Sequence, residues 1–122
     1  MSRLAIKGRR GGFTLIEVMI VVLIISVLLA IAIPNFVKAR EKSRAGSCCA
    51  NLRQIETGKE QYAINNKLSN GDPVADMNVL CPHYVKQMPQ CPSGGTYTPN
   101  AIGTFATCSR GGTRGTYNYH GL

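Results

Sequence analysis

The sequence predicts an α+β chain, a long N-terminal α-helix followed by a small antiparallel β-sheet head, on three observations. An unbroken apolar run fills residues 13–33. A helical repeat of apolar positions carries on from it to about residue 65. Beyond residue 90 the texture turns to Gly, Thr and Tyr, with turn signals between short strand-like stretches. The 122 residues hold at most one small domain plus attachments, which excludes a large enzyme core. The 44% hydrophobic content excludes a disordered chain. Charged residues are only 16%, against about 25% in a typical soluble domain, because the apolar residues crowd into one N-terminal block.

Residues 1–12, MSRLAIKGRRGG, are short, basic and Gly-rich, and Arg3, Lys7, Arg9 and Arg10 make up half of the formal net charge of +8. From Phe13 to Ile33 only Thr14, Glu17 and Ser26 are not apolar. As a helix this run is about 31 Å long at roughly 1.5 Å per residue, close to the roughly 30 Å hydrocarbon core of a bilayer. It is apolar all round, as lipid or a fully buried bundle requires. Glu17 is the anomaly, since an ionisable group in such a run costs several kcal/mol without a partner. It lies four residues after Phe13, on the same face of a helix starting there. A cut between Gly12 and Phe13 would give it an amine to pair with, its own or a neighbouring chain's. The alternative places Glu17 at headgroup depth.

GFTLIEV, Gly12 to Val18, behind a basic leader and ahead of an apolar helix, resembles the type IV prepilin signature. The resemblance implies cleavage after Gly12 by prepilin peptidase and N-methylation of the new Phe13 terminus. It implies that Glu17 pairs with the Phe13 amine of another subunit as a filament assembles. Pro34 sits where many type IV pilins carry a helix-kinking proline. The expected organisation is a leader over 1–12, a transmembrane and assembly helix over 13–33, its amphipathic continuation over 34–65, and a β-rich head over 66–122. The implied role is a structural filament subunit with no enzymatic activity. Its implied partners are other copies of itself, prepilin peptidase, an inner-membrane assembly platform and, before assembly, membrane lipid. The precursor would sit in the inner membrane with its head periplasmic or extracellular. Type II secretion pseudopilins and competence filaments share the signature, so a pseudopilus remains open, as does a membrane-anchored domain that does not assemble. Ala30-Ile31-Ala32 also resembles an ordinary signal-peptidase site, but an apolar region of about twenty residues exceeds the roughly 7–15 of a signal peptide. Lys38, Arg40, Lys42 and Arg44 follow the span as four basic residues precede it, so charge does not orient it.

Pro34 lacks an N–H and crowds the preceding turn, which predicts a kink or a local opening. Beyond it Ala45, Cys48, Leu52, Ile55 and Tyr62 recur at helical spacing, with Arg53, Lys59 and Glu60 expected on other sides. The helix is expected to run from about Phe13 to Asn65. NNKLSNGDP, Asn65 to Pro73, is a turn cluster that ends it. Asp76 is a candidate cap for a short helix to about Lys86, and Pro82 argues that it is irregular. Thr96–Thr98 and Thr104–Cys108 read as a hairpin, with a third strand at Tyr117 and Tyr119. NLRQIE, Asn51 to Glu56, and CPSGGTY, Cys91 to Tyr97, also resemble a group of short bacterial pilin-like proteins.

So small a head buries a marginal core, so crosslinks matter. Five cysteines allow two disulfides and one spare thiol. Cys91 and Cys108 flank the hairpin and are the first expected pair; Cys48 or Cys49 on the helix would take Cys81. A competing arrangement bridges Cys48 to Cys91 or Cys108. Cys81, His83 and Cys91 lie close in sequence, but no paired C-x₂-C spacing exists, so no metal site is expected. Calcium wants six to eight oxygens, and Asp72 and Asp76 are the only aspartates. His83 and His120 stand without a nucleophile or an orienting group, and Gly94-Gly95 is no phosphate loop, so no catalytic site and no cofactor are expected. SRGGTRGTYNYH interleaves Arg, Gly and Tyr as some single-strand binders do; it reads as a flexible surface loop, without a nucleic-acid partner.

Overall fold

A computed structural model describes residues 11–122; residues 1–10, most of the expected leader, lie outside the described residues. Helix α1 spans Leu15–Asn66 and helix α2 Met77–Leu80, followed by strands β1 (Tyr97–Thr98) and β2 (Thr107–Cys108). The chain divides after Asn35 into two compact units.

In the first unit, α1 starts at Leu15 rather than Phe13 because Thr14 caps it. The Glu17 N–H donates to Thr14 Oγ1 at 3.3 Å, and the Thr14 N–H donates to Glu17 Oε2 at 3.4 Å. This reciprocal pair is a capping box, which satisfies two backbone donors that a helix start leaves free. The carboxylate also sits at the positive end of the helix dipole. Ser26 donates its hydroxyl to the Val22 carbonyl at 2.7 Å, so the apolar run hides its own hydroxyl. The helix stays helical through Pro34. Pro34 donates no N–H, which leaves the Ala30 carbonyl without its usual partner.

In the second unit, α1 buries Ala45, Cys48, Leu52, Ile55, Gly58, Lys59 and Ala63. Lys59 corrects the sequence expectation. It lies four residues after Ile55 and seven after Leu52, so it shares their face, and its side chain is only 1% exposed. Its Nζ donates to Glu56 Oε1 at 3.1 Å and to the Thr104 carbonyl. Glu56 Oε1 also accepts the Ala106 N–H, so the pair ties the 104–106 loop to the helix. Asn51 does the same elsewhere, donating to the Gln90 carbonyl at 3.0 Å and the Tyr97 hydroxyl at 3.1 Å.

At its C-terminus α1 closes in a Schellman motif. The Leu68 N–H donates to the Ala63 carbonyl at 2.9 Å and the Lys67 N–H to the Ile64 carbonyl at 3.4 Å. Lys67 takes the left-handed position, φ 54°, where glycine is usual. Asp76 caps α2 by accepting the Met77 N–H at 2.7 Å, and α2 ends at Leu80, well short of Lys86. The β1–β2 hairpin is antiparallel with Tyr97 opposite Cys108 and Thr98 opposite Thr107. Each strand is two residues long, and Tyr117 and Tyr119 lie in turns rather than in a third strand. The core therefore forms where the α1 face meets Val74, Met77, Leu80, Val85, Ile102 and Ala106 from the loops and α2. With so few ladder bonds, loop packing and the polar ties from Asn51, Glu56 and Lys59 carry this head.

Candidate functional site

Gly12 and Phe13 lie in non-helical, exposed backbone ahead of the Thr14 cap. A Cβ built on Gly12 would meet no described atom within 4 Å. Behind it the apolar side chains of α1 face outward, from Leu15 and Ile16 through Ile31, Ile33, Phe36 and Val37. One described helix, α1, is long and apolar enough to cross a membrane, with a mean hydropathy of 3.1 over its most apolar stretch. Among the described residues the Glu17 carboxylate has one partner, the Thr14 N–H. Phe13 precedes the helix, so no helical face joins it to Glu17 here. Thr14-Leu15-Ile16-Glu17 is itself the capping-box pattern, which gives Glu17 a structural task besides any pairing with an amine.

The second site lies in the head, and its members come from four separate segments. Cys48 projects from α1, Cys91 from the turn before β1, Cys108 from β2 and His120 from the C-terminal tail. Their ligand atoms all lie within 4.8 Å of one another. Cys91 Sγ stands 3.9 Å from His120 Nδ1. Cys48 is 0% exposed, Cys91 and Cys108 7%, and His120 4%.

Local structure fixes each member. The Gly94 N–H closes the Cys91 turn on the Cys91 carbonyl at 3.0 Å, and the His120 N–H donates to the Gly111 carbonyl at 2.6 Å, closing a loop within the tail. Residues 112–118 of that loop are exposed, as expected of a surface loop, while His120 at its end is buried. Burial pushes the Cys48 thiol up to about 12, helped by the neighbouring Cys108 and Cys91 and opposed by Tyr97. Burial also pushes Cys91 up, but the nearby backbone N–H groups of Ser93 and Gly95 and the Cys108 and Cys48 thiols together bring it below the usual thiol value. The Tyr97 hydroxyl is raised by burial and by the neighbouring Cys48 thiol.

All five cysteines are free thiols here. Cys91 and Cys108, the first expected disulfide pair, do meet at the base of the hairpin, but in company with Cys48 and His120. Cys49 instead donates its thiol to the Gly121 carbonyl at 2.9 Å, and Cys81 stays outside the cluster, packed on the core. The sequence grouping of Cys81, His83 and Cys91 does not form. Only Cys91 of those three joins the cluster, and His83 is exposed. The assembled set has no local spacing to betray it. The one local signal is Cys-Pro-Ser-Gly-Gly, Cys91 to Gly95, a tight turn whose Gly95 leaves room beside the Cys91 and Cys108 sulfurs.

Comparison with known proteins bears on the N-terminal site first. The family described as the prokaryotic N-terminal methylation motif matches residues 7–33. The chain is 32% identical to the type IV narrow pilus major component PilA5 of Thermus thermophilus, over 90% of this chain and 96% of that protein. It is 29% identical to the type II secretion system core protein G of Aeromonas hydrophila, over 81% of this chain and 78% of that one. It is 48% identical to the type IV major pilin protein PilA of Myxococcus xanthus, over 44% of this chain and 24% of that one. No solved structure matches. A long helix, apolar and outward-facing in its first half, followed by a small head, defines a pilin-like class of protein. The chain belongs to the type IV pilin and type II secretion pseudopilin family.

Proposed function

We propose that the chain is the structural subunit of a type IV pilus-like filament. It is made as a precursor whose leader, residues 1–12, is removed by prepilin peptidase, and the new Phe13 amine is methylated. The segment over 13–33 holds the precursor in the inner membrane, with the continuation over 34–65 and the head over 66–122 on the periplasmic side. An assembly platform then transfers the subunit from lipid into the filament. The subunit does no chemistry of its own; it is the peptidase's substrate and its own copies' partner.

One observation supports this reading above the rest: the large apolar side chains from Leu15 to Val37 are exposed in the isolated chain. Burial is worth about 25 cal/mol per Å², so a run of this length has a strong drive into lipid or against neighbouring helices. Glu17 gives that drive a register. Among the described residues its carboxylate is held only by a long bond from the Thr14 N–H, and an ammonium on a neighbouring Phe13 is a stronger partner. Pro34, which cannot donate to the Ala30 carbonyl, marks where α1 would bend or open on packing. Replacement Glu17→Ala is expected to leave a cleaved, membrane-held subunit and few or no filaments. Filaments at normal yield from that variant would overturn the role given to Glu17.

A second reading, a type II secretion pseudopilus, draws on the similarity to core protein G. Loss of the gene would then block export of folded proteins. Under the pilus reading it removes surface filaments and leaves export intact.

A further inference from the structure

We propose that Cys48, Cys91, Cys108 and His120 bind one structural zinc ion that clasps the head together. A zinc ion held tetrahedrally at about 2.3 Å from sulfur and about 2.0 Å from nitrogen sets its ligand atoms roughly 3.5–3.8 Å apart. The four ligand atoms here lie within 4.8 Å of one another, and Cys91 Sγ to His120 Nδ1 is 3.9 Å. Only small side-chain adjustments separate this cluster from tetrahedral ligation. Three sulfurs and one imidazole form a soft donor set suited to zinc, and four protein ligands close the coordination shell, as in structural rather than catalytic sites.

Two features beyond the grouping fit a metal. First, a Cβ on Gly95 would lie 2.7 Å from Cys108 Sγ and 3.3 Å from Cys91 Sγ, so glycine keeps that space open for the sulfurs. Second, a buried histidine from a polar, Gly-rich tail is brought to the three thiols, and no other described group hydrogen-bonds its ring. A disulfide would use two sulfurs and leave the third thiol and the imidazole without a task. Zinc uses all four. Binding releases the three thiol protons to solvent and changes no oxidation state. The ligands tie α1, the Cys91 turn, β2 and the tail to one point, which suits a head whose sheet has four residues in all.

The test uses the full chain purified in detergent from its native envelope, without added metal, thiol or chelator. Metal analysis is expected to find about one zinc per chain. After chelation and reloading with cobalt chloride, the spectrum is expected to show intense tetrahedral bands and thiolate-to-cobalt charge transfer, reversed by zinc chloride. His120→Ala and Cys108→Ser are expected to lose most of the zinc, whereas Cys49→Ser and Cys81→Ser keep it. Because the first two variants risk misfolding, the unmodified chain decides. Absence of zinc, with a mass lower by the two hydrogens of a disulfide among Cys48, Cys91 and Cys108, would overturn the proposal. So would iron in place of zinc, or an octahedral cobalt spectrum.

Discussion

Replacing Lys59 by Met tests whether the head is held by its buried charge pair. The ammonium is 1% exposed and the Glu56 side chain 19%. Methionine keeps most of the apolar stem, so little cavity forms and the loss is electrostatic. Two bonds vanish, to Glu56 and to the Thr104 carbonyl. Glu56 keeps the Ala106 N–H and some water. Breaking a fully buried pair costs about 3–5 kcal/mol, and the partial exposure of Glu56 lowers this to about 2–4 kcal/mol. For a head of this size, at about 4–8 °C per kcal/mol, the melting midpoint falls by roughly 10–25 °C. Near-UV circular dichroism of the full chain in detergent reads this, since five tyrosines and no tryptophan supply the signal. Lys59→Met/Glu56→Gln should lose less than the sum of its single changes, because neither charge is left buried alone. Exposed Lys38→Met should lie within about 0.5 kcal/mol of the unmodified chain. If Lys59→Met also melts within that margin, the pair does not hold the head.

Two helix glycines should respond in opposite directions. Gly46→Ala meets nothing within 4 Å and should stabilise by up to about 1 kcal/mol through helix propensity. A Cβ on Gly58 lies 2.6 Å from Val85 Cγ2, so Gly58→Ala should destabilise by about 1–2 kcal/mol; equal signs in urea unfolding would contradict that packing. Lys67→Gly should stabilise by about 1 kcal/mol, because it removes a side chain from a left-handed cap; calorimetry checks it. Tyr97 is raised above its ordinary value of about 10. The folded state therefore keeps its phenolic proton where the unfolded chain has lost it. The stability this provides is present below about pH 10 and falls as pH rises beyond it. Tyr97→Phe in the chelator-treated chain should flatten that alkaline loss, and an unchanged alkaline slope would count against it.

The helix was legible because its signals are local. Gly12 to Val18 sit in one short motif, and the apolar run and the Ala45–Ile55 face follow a period that needs no tertiary knowledge. The same period places Lys59 on the buried face, and it escapes notice because charge suggests solvent. Its burial depends on Glu56 beneath it and on a loop more than forty residues away. The hairpin was readable in position, from Pro99 and Gly103 between Thr-rich stretches, but not in length. The loops take their hydrogen bonds from the helix side chains Asn51 and Glu56 instead of a ladder. The thiol–imidazole cluster was the least legible feature. Its ligands come one each from four segments, so no spacing exists to read, and the nearest sequence grouping, Cys81 with His83 and Cys91, supplies only one of them.

The proposed function requires that removal of residues 1–12 frees the Phe13 amine at the head of this helix and that the helix then packs into a filament. Intact mass with N-terminal sequencing of the protein from its native envelope tests it most directly. The account predicts a chain that begins at Phe13 and carries one methyl group on its amine. A chain that begins at Met1 would be an uncut anchor, and one that begins at Ile33 a secreted head without its span; either would contradict it.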